Sequence, residues 1–291
     1  MTQTNGGAQA REQPPLGAGS VSFDRVANLY DGTRGYPEEV SAAIAEGMMR
    51  HGPLTPGATA LEIGIGTGRI ALPLLERGVN VTGGDISEQM TERLRAKYEA
   101  GRAARPDLPW GELTIALADS VRLPFADASF DVVIAVHVLH LITDWRRALS
   151  EALRVLRPGA PLLLGQDMSH GSQIAHPLQD EWLDIVRSLG FYPKRAGAPA
   201  FTDILAEARS RGLAVEEWTI AEWTATHTAE EGYVYVAKKI WSLTWQVPDD
   251  IFAESVRKLG VWARERYGAR WTEPMEATYS FRLARVSRPD A

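Results

Sequence analysis

The chain of 291 residues contains no cysteine. This absence excludes disulfide bonds, thiolate nucleophiles and cysteine-ligated metal sites. The chain also lacks a run of about 20 apolar residues, the length that a membrane-spanning helix needs. Residues 1–20 are rich in Gly, Gln and Pro without the apolar stretch of a secretory signal, and we expect a disordered tail there. These absences lead us to expect a cytoplasmic protein with no membrane partner.

Positive charge is scarce as well. The formal net charge is −6, and no run of Lys or Arg is long enough to follow a phosphate backbone. A nucleic-acid partner is therefore disfavoured. The sequence contains neither an HExxH motif nor an EF-hand loop, so no metal site is predicted. What is present, 45% hydrophobic and 23% charged residues, is typical of a globular protein with a sizeable core.

Apolar strand-like segments alternate with helical segments in the first half of the chain. Strands are predicted at residues 58–63, 79–84, 113–117, 130–136 and 161–165, and helices at residues 69–77, 88–103 and 144–156. Such alternation predicts right-handed crossovers and an α/β fold, with a parallel sheet covered by helices on both faces. Ligands are then expected at the carboxyl ends of the strands.

Beyond residue 166 the alternation is less regular. Helices are predicted at residues 180–189, 202–211, 229–245 and 249–267, and strands at residues 215–221 and 277–286. The expected organisation is a helical cap over residues 21–57, a core over residues 58–166, and a segment over residues 167–291 that completes the sheet. This last segment is rich in Trp and Tyr, whose side chains would suit the walls of a site for a hydrophobic or planar ligand, although such aromatic residues more often belong to the core.

The most informative motif is the segment LEIGIGTG at residues 61–68, at the end of the first predicted strand. Glycines at alternate positions let the backbone turn sharply and approach a ligand closely. A dinucleotide loop requires GxGxxG, but its third glycine position is Arg69 here, which disfavours an NAD-dependent oxidoreductase. The P-loop spacing is absent too.

This segment resembles the E/DxGxGxG motif of class I S-adenosylmethionine-dependent methyltransferases. The resemblance implies a Rossmann-like fold with a seven-stranded, mostly parallel sheet, helices on both faces and helical lid insertions. It also implies that S-adenosylmethionine is the cofactor. In that family the glycines, here Gly64, Gly66 and Gly68, lie against the methionyl part of the cofactor, and the acidic residue, here Glu62, helps to hold its amino group.

Asp85 ends the second predicted strand, where a carboxylate can accept both ribose hydroxyl hydrogens. Ser87 is a candidate N-cap for the next helix. By the same resemblance, Ile86 and Met90 are expected to line the adenosine site, although a helical Met is as often ordinary core. Asp119 and Ser120 follow the third strand, and the resemblance assigns them to the adenine.

The segments at residues 134–141 and 153–159 resemble the subgroup related to ubiquinone/menaquinone C-methyltransferases, with a methyltransferase type 11-like domain. This likeness places Val136, His137 and His140 near the transferring methyl group. Either histidine could act as a base, or instead be a hydrogen-bonded structural residue. The N-terminal segment resembles the cap of the subgroup, and Tyr30 is the first candidate to cover the methionine end of the cofactor.

The sequence therefore predicts methyl transfer to an oxygen, nitrogen or carbon nucleophile of a small molecule, mainly through positioning and desolvation. Two alternatives stay open: an S-adenosylmethionine-binding module without catalysis, and a methyltransferase that acts on a macromolecule. Neither the acceptor nor the oligomeric state can be read from the sequence.

Overall fold

The computed structural model describes residues 20–170 and 175–289. Residues 1–19, which hold nearly all of the predicted tail, lie outside this part of the chain. Within it, no helix is both long enough and apolar enough to cross a membrane.

The centre of the fold is a seven-stranded sheet with the order β3-β2-β1-β4-β5-β7-β6. Neighbouring strands from β3 to β5 are parallel, whereas β7 runs antiparallel to both β5 and β6. The predicted Rossmann-like, mostly parallel sheet is therefore confirmed. Its strands are β1 (Thr59–Ile63), β2 (Asn80–Asp85), β3 (Leu113–Leu117), β4 (Val132–Val136), β5 (Leu162–His170), β6 (Ala214–His227) and β7 (Met275–Ser287).

Helices cover both faces of this sheet because side chains alternate along each strand. Leu61 and Val133 belong to the apolar cluster on one face, and Ala60 and Ile134 to the cluster on the other. The helices of the described chain are α1 (Ala27–Arg34), α2 (Glu38–His51), α3 (Ala71–Leu75), α4 (Glu88–Ala104), α5 (Trp145–Val155), α6 (Ala175–Ser188), α7 (Phe201–Ser210), α8 (Ala229–Ala237) and α9 (Asp249–Tyr267).

Helices α6, α8 and α9 form a helical body with an apolar cluster of its own, centred on the fully buried Trp182 and Leu259. The Trp182 indole donates a hydrogen bond to Ser255 Oγ at 2.9 Å, so its one polar atom is paired inside this cluster. These helices are inserted between the late strands, where the family resemblance implies a lid.

Several predicted bounds differ from the structure, among them those of β5, α3 and α6, and two of the differences have a clear cause. The helix expected over residues 229–245 ends at Ala237, because Lys239 has a left-handed backbone with φ +52° and a 3₁₀ turn, Ser242–Gln246, follows. Strand β6 is twice as long as the predicted residues 215–221, since it pairs with β7 along its whole length, with one register shift between Thr219 and Ala221.

Candidate active site

The loop after β1 turns through three glycines with positive φ, Gly64, Gly66 and Gly68. A Cβ on Gly64 would collide with the side chain of Val138, and one on Gly68 with Leu94. A Cβ on Gly66 would meet only the tip of a flexible methionine. Packing therefore requires the outer two glycines, whereas the middle one leaves room beside the loop.

Asp85, at the end of β2, fixes this loop. Its Oδ2 accepts a hydrogen bond from the Gly66 amide at 2.8 Å, and its Oδ1 accepts one from the Ser87 amide at 2.9 Å. Burial raises the pKa of Asp85, and the amide donors oppose that shift. Ser87 in turn accepts from the Met90 amide at 3.1 Å, which confirms the predicted cap of α4.

Glu62 lies under the loop and is 3% exposed. Its Oε2 is buried without a hydrogen-bond partner among the described residues. Burial raises the pKa of Glu62 well above its usual range; the Arg69 charge opposes this shift and the Asp85 charge adds to it. A buried carboxylate oxygen without a donor is costly, and an ammonium group of a ligand would satisfy it.

A pocket opens beside the loop, and we call it the glycine-loop pocket. Nine of the eleven predicted cofactor residues line it: Tyr30, Gly64, Gly66, Asp85, Ile86, Met90, Asp119, Ser120 and Val136. The remaining two, Glu62 and Gly68, do not reach its surface. The sequence thus identified the residues that converge here from four strand ends and the N-terminal cap.

A second cavity of about 290 Å³ adjoins this pocket, and we call it the larger cavity. Phe23, Tyr30 and His137 contribute to the walls of both. His140 lines the larger cavity but not the glycine-loop pocket. The other walls of the larger cavity come from the loop after β4, the segment before α7, and the region between α8 and α9.

The N-terminal cap is held against the glycine loop by polar contacts. Ser87 donates to Asp24, and Thr67 donates to Asp31. Arg69 donates to the backbone oxygen of Arg34 at 2.9 Å. The first helices therefore lie against the pocket, and they bring Tyr30 to its wall.

Arg69 belongs to a half-buried polar cluster that the sequence did not predict. Asp167, on β5, accepts from the Tyr36 hydroxyl at 2.6 Å and pairs with Arg69 at 3.4 Å, and the Arg69 guanidinium lies 4.3 Å from the centre of the Tyr36 ring. Burial alone would raise the pKa of Asp167, but His137, Arg69 and Tyr36 outweigh it, so this carboxyl stays ionised.

His137 joins this cluster to the pocket wall. Its Nε2 lies 2.8 Å from the Asp167 backbone nitrogen and 3.0 Å from Asp167 Oδ2. The backbone of His137 has φ +51°, an uncommon conformation for a residue other than glycine. The ring is thus fixed at the carboxyl end of β4, between the two pockets.

His140 lies one turn further on, with its ring centre 6.4 Å from that of His137. Burial lowers the pKa of His140 to about 3, assisted by the charges of His137, Arg195 and Arg34. The side chain is therefore neutral at physiological pH and faces the larger cavity. Asp131, directly before β4, accepts from the Thr59 amide and pairs with Arg157 at the opposite end of the sheet.

Residues 61–164 match a family described as a methyltransferase domain. This part of the chain, from β1 to β5, is therefore similar to a methyltransferase domain. A 27-O-demethylrifamycin SV methyltransferase of Amycolatopsis mediterranei is 36% identical over 157 residues, which cover 49% of this chain and 56% of that protein. A demethylmenaquinone methyltransferase of Beutenbergia cavernae is 34% identical over 149 residues, which cover 50% and 55%. The chain spans about half the length of these curated relatives.

Solved structures agree with the domain assignment at the level of the fold. YcgJ from Bacillus subtilis aligns with a TM-score of 0.54 at 18% identity, over 85% of this chain and 99% of that one. The cyclase SpnF aligns with a TM-score of 0.55 at 17% identity, over 92% and 94%. Because one of these similar structures is named a cyclase, the fold alone does not decide which reaction the chain catalyses.

Proposed function

We propose that the chain transfers a methyl group from S-adenosylmethionine to an oxygen, nitrogen or carbon atom of a small-molecule acceptor. The observation that carries this proposal is the pair of adjoining pockets with Phe23, Tyr30 and His137 in their common walls. In this proposal the glycine-loop pocket takes the cofactor and the larger cavity takes the acceptor. A reaction between two bound molecules requires such a junction.

The described residues fit the cofactor through opposite charge and through space beside the loop. Asp85 would accept the ribose hydroxyls and Asp119 the adenine amine, while Gly66 leaves the backbone approachable. The unpartnered Oε2 of Glu62 lies behind the loop and would receive the amino group of the methionyl part through water. When bound, S-adenosylmethionine supplies an electrophilic methyl group on a sulfonium sulfur.

Residues around the junction would position the acceptor and exclude water. Val136 is 7% exposed, and His137 is fixed by Asp167, so the wall at the end of β4 is both apolar and rigid. Methyl transfer is an in-line displacement, which gains most from alignment and a dry site. A protonated acceptor would also need a base, and His140 and His137 are the candidates within reach of the larger cavity.

The two curated relatives described above are named for small-molecule substrates, which supports a small-molecule acceptor. Besides these two, a protein of Aspergillus nomiae named O-methyltransferase rstn1 is 36% identical over 109 residues, 37% of this chain and 46% of that protein. Their printed names cover both oxygen methylation and the methylation of a quinone precursor, so we leave the acceptor atom open. A cytoplasmic location and the absence of a nucleic-acid partner stay predictions from composition.

The first experiment is calorimetric titration of the full chain with S-adenosylmethionine, S-adenosylhomocysteine and NAD. We expect micromolar binding of the two adenosyl ligands and none of NAD. The second is incubation with S-adenosylmethionine and a panel of phenols, amines and quinols, with S-adenosylhomocysteine and methylated product followed by mass spectrometry.

Each alternative predicts a different result. A binding module without catalysis would bind both adenosyl ligands and form no product with any acceptor. An enzyme for macromolecules would form S-adenosylhomocysteine only in the presence of a protein or nucleic acid. Failure of both adenosyl ligands to bind would refute the cofactor assignment itself.

A further inference from the structure

The charged side chains around the larger cavity all have the same sign. Arg34 and Arg195 line it, and within residues 20–170 and 175–289 no Asp or Glu does. A cavity that collects only cationic groups has a positive potential, which favours a ligand of negative charge.

The positive charge of Arg34 is not neutralised by a carboxylate of the described residues. Its Nη2 donates to the Tyr235 hydroxyl at 2.6 Å, and no carboxylate of the described chain lies within ion-pair distance of it. The rings of Phe23, Tyr30 and Tyr235 surround it at 5.8–5.9 Å from the guanidinium carbon. A guanidinium has five N–H donors in a planar fork that suits a carboxylate, and the described residues provide a hydrogen-bond acceptor for one nitrogen of the Arg34 guanidinium.

Arg195 approaches the cavity from the segment before α7 and is exposed. It too forms no ion pair with a carboxylate of the described residues, which leaves its charge available to a ligand in the cavity. His140 is affected by both cations, since Arg195 and Arg34 are among the causes that lower its pKa. Their field therefore extends across the cavity to the histidine beside the junction.

The remaining walls are suited to a ring. Phe23, Tyr30, Phe201, Tyr235 and Trp241 contribute aromatic surface, and leucines fill the gaps between them. Rigid aromatic walls bind planar ligands through large contact areas at low entropic cost. Charge and shape thus point to the same class of molecule.

We propose that the larger cavity selects an anionic aromatic acceptor, a small molecule whose ring carries a carboxylate, and that Arg34 and Arg195 bind this carboxylate. The inference rests on the proposed function, because it takes the larger cavity as the acceptor site. It adds a charge requirement that the family resemblance does not contain.

Matched probes test the charge requirement. Calorimetric titrations of the full chain saturated with S-adenosylhomocysteine would use 3-hydroxy-2-naphthoate, its neutral amide 3-hydroxy-2-naphthamide, the cation 2-naphthylmethylamine, and butyrate as an anion without a ring. A charge-assisted hydrogen bond in a partly buried site favours the naphthoate over its amide by about tenfold in Kd. Butyrate and the amine are expected to bind more weakly than the amide.

Variants then assign the preference to the two arginines. Arg195→Gln and Arg34→Gln should each reduce the preference for naphthoate over amide to about threefold or less, and Arg34→Lys should keep part of it. Arg95→Gln is the matched control: this exposed arginine of α4 forms no ion pair in the described chain and lies outside both pockets. It should retain the full preference.

Equal or tighter binding of the amide or the amine would overturn the proposal, as would a naphthoate preference that survives in both Gln variants. Failure of every probe to bind would overturn it as well. The same titrations on the chain without S-adenosylhomocysteine separate the two levels of inference. If S-adenosylhomocysteine fails to bind while the arginine-dependent naphthoate preference is present, the proposed function fails and the anion site stands.

Discussion

The glycine-loop pocket and the larger cavity share a wall, yet their charges are opposite. Asp85 and Asp119 line the first, without any Lys or Arg of the described chain, whereas Arg34 and Arg195 line the second. Burial then acts in opposite directions on the two sides. It raises the pKa of Asp85 and lowers the pKa of His140.

This contrast indicates that each pocket holds charge that the protein leaves partly uncompensated. Neighbouring carboxylates disfavour one another's ionised form, and neighbouring cations disfavour protonation of a histidine. A ligand of opposite charge relieves both penalties, so the free energy that these charges cost the folded protein contributes to ligand binding. The proposed cofactor brings cationic sulfonium and ammonium groups to the acidic side, and the proposed acceptor brings a carboxylate to the basic side.

The largest expected effect comes from removing the carboxylate of the acidic pocket. Asp85→Ala should weaken S-adenosylmethionine binding by about a hundredfold, because two charge-assisted hydrogen bonds are lost together with the anchor of the Gly66 amide. Calorimetry gives the Kd, and thermal unfolding reports whether the fold survives. Asp107→Ala, on an exposed turn outside both pockets, is the matched control. A Kd within threefold of the wild-type value would remove Asp85 from the ribose site.

Filling the space beside the loop should have the next largest effect. Gly66→Ala adds a methyl group at the pocket wall, and an overpacking cost of about 2 kcal/mol corresponds to a cofactor Kd about thirtyfold weaker. Gly57→Ala is a strict control, since Gly57 also has a positive φ but a Cβ there would meet nothing within 4 Å. Both variants carry the backbone strain, and only the first should lose affinity. Equal affinities would mean that the ligand does not approach Gly66.

On the basic side, His140→Asn should lower kcat for a protonated acceptor by about tenfold and leave the cofactor Kd unchanged. This loss is smaller than the hundredfold or more of a well-tuned base, because a pKa of about 3 makes His140 a weak one. The same pKa keeps the ring neutral throughout the ordinary pH range. We therefore expect kcat/KM to show no fall near pH 6.5 as the pH decreases, where an unperturbed histidine would become protonated.

A pH profile with an apparent pKa near 6.5 that disappears in His140→Asn would contradict the lowered pKa. An unchanged kcat would instead mean that positioning alone supplies the rate. Arg157→Gln is a suitable control, since that residue pairs with Asp131 at the far end of the sheet.

The sequence predicted the acidic pocket far better than the basic cavity, for a physical reason. The glycine loop, Asp85 and the Ser87 cap are set by neighbours a few residues away, so their roles follow from local spacing. The family resemblance then linked the strand ends. By contrast, Tyr36 meets Asp167 across 131 positions, and Arg34 meets Tyr235 across 201. No short-range pattern encodes such contacts.

A weak signal for Asp167 was nevertheless present. Asp167 follows the apolar run of the fifth predicted strand, just as Asp85 and Asp119 follow the second and third. The argument that ligands bind at strand ends would therefore have selected Asp167 too. The end of α8 could not be found in this way, because its apolar spacing continues to Trp245. The Trp245 indole instead donates from the 3₁₀ turn to the carbonyl of Lys239, the residue with the left-handed backbone.

The smallest effect concerns the stability of the chain without cofactor. Glu62→Gln should raise the free energy of unfolding by about 1 kcal/mol at pH 8, because it removes a buried charge whose Oε2 has no partner. The folded-state pKa of Glu62 lies above its ordinary value of 4.5, so the protonated form stabilises the wild type below about pH 4.5 and this contribution is lost as the pH rises through the folded-state pKa. Urea unfolding at pH 5 and pH 8 should therefore give a larger difference in the free energy of unfolding between the wild type and Glu62→Gln at pH 8.

The Glu62→Gln variant should also bind S-adenosylmethionine more weakly, so stability and affinity change in opposite directions. If Glu62→Gln were less stable than the wild type at pH 8, other groups of the protein would have to stabilise the Glu62 carboxylate already. The proposal that this charge awaits a ligand would then be wrong.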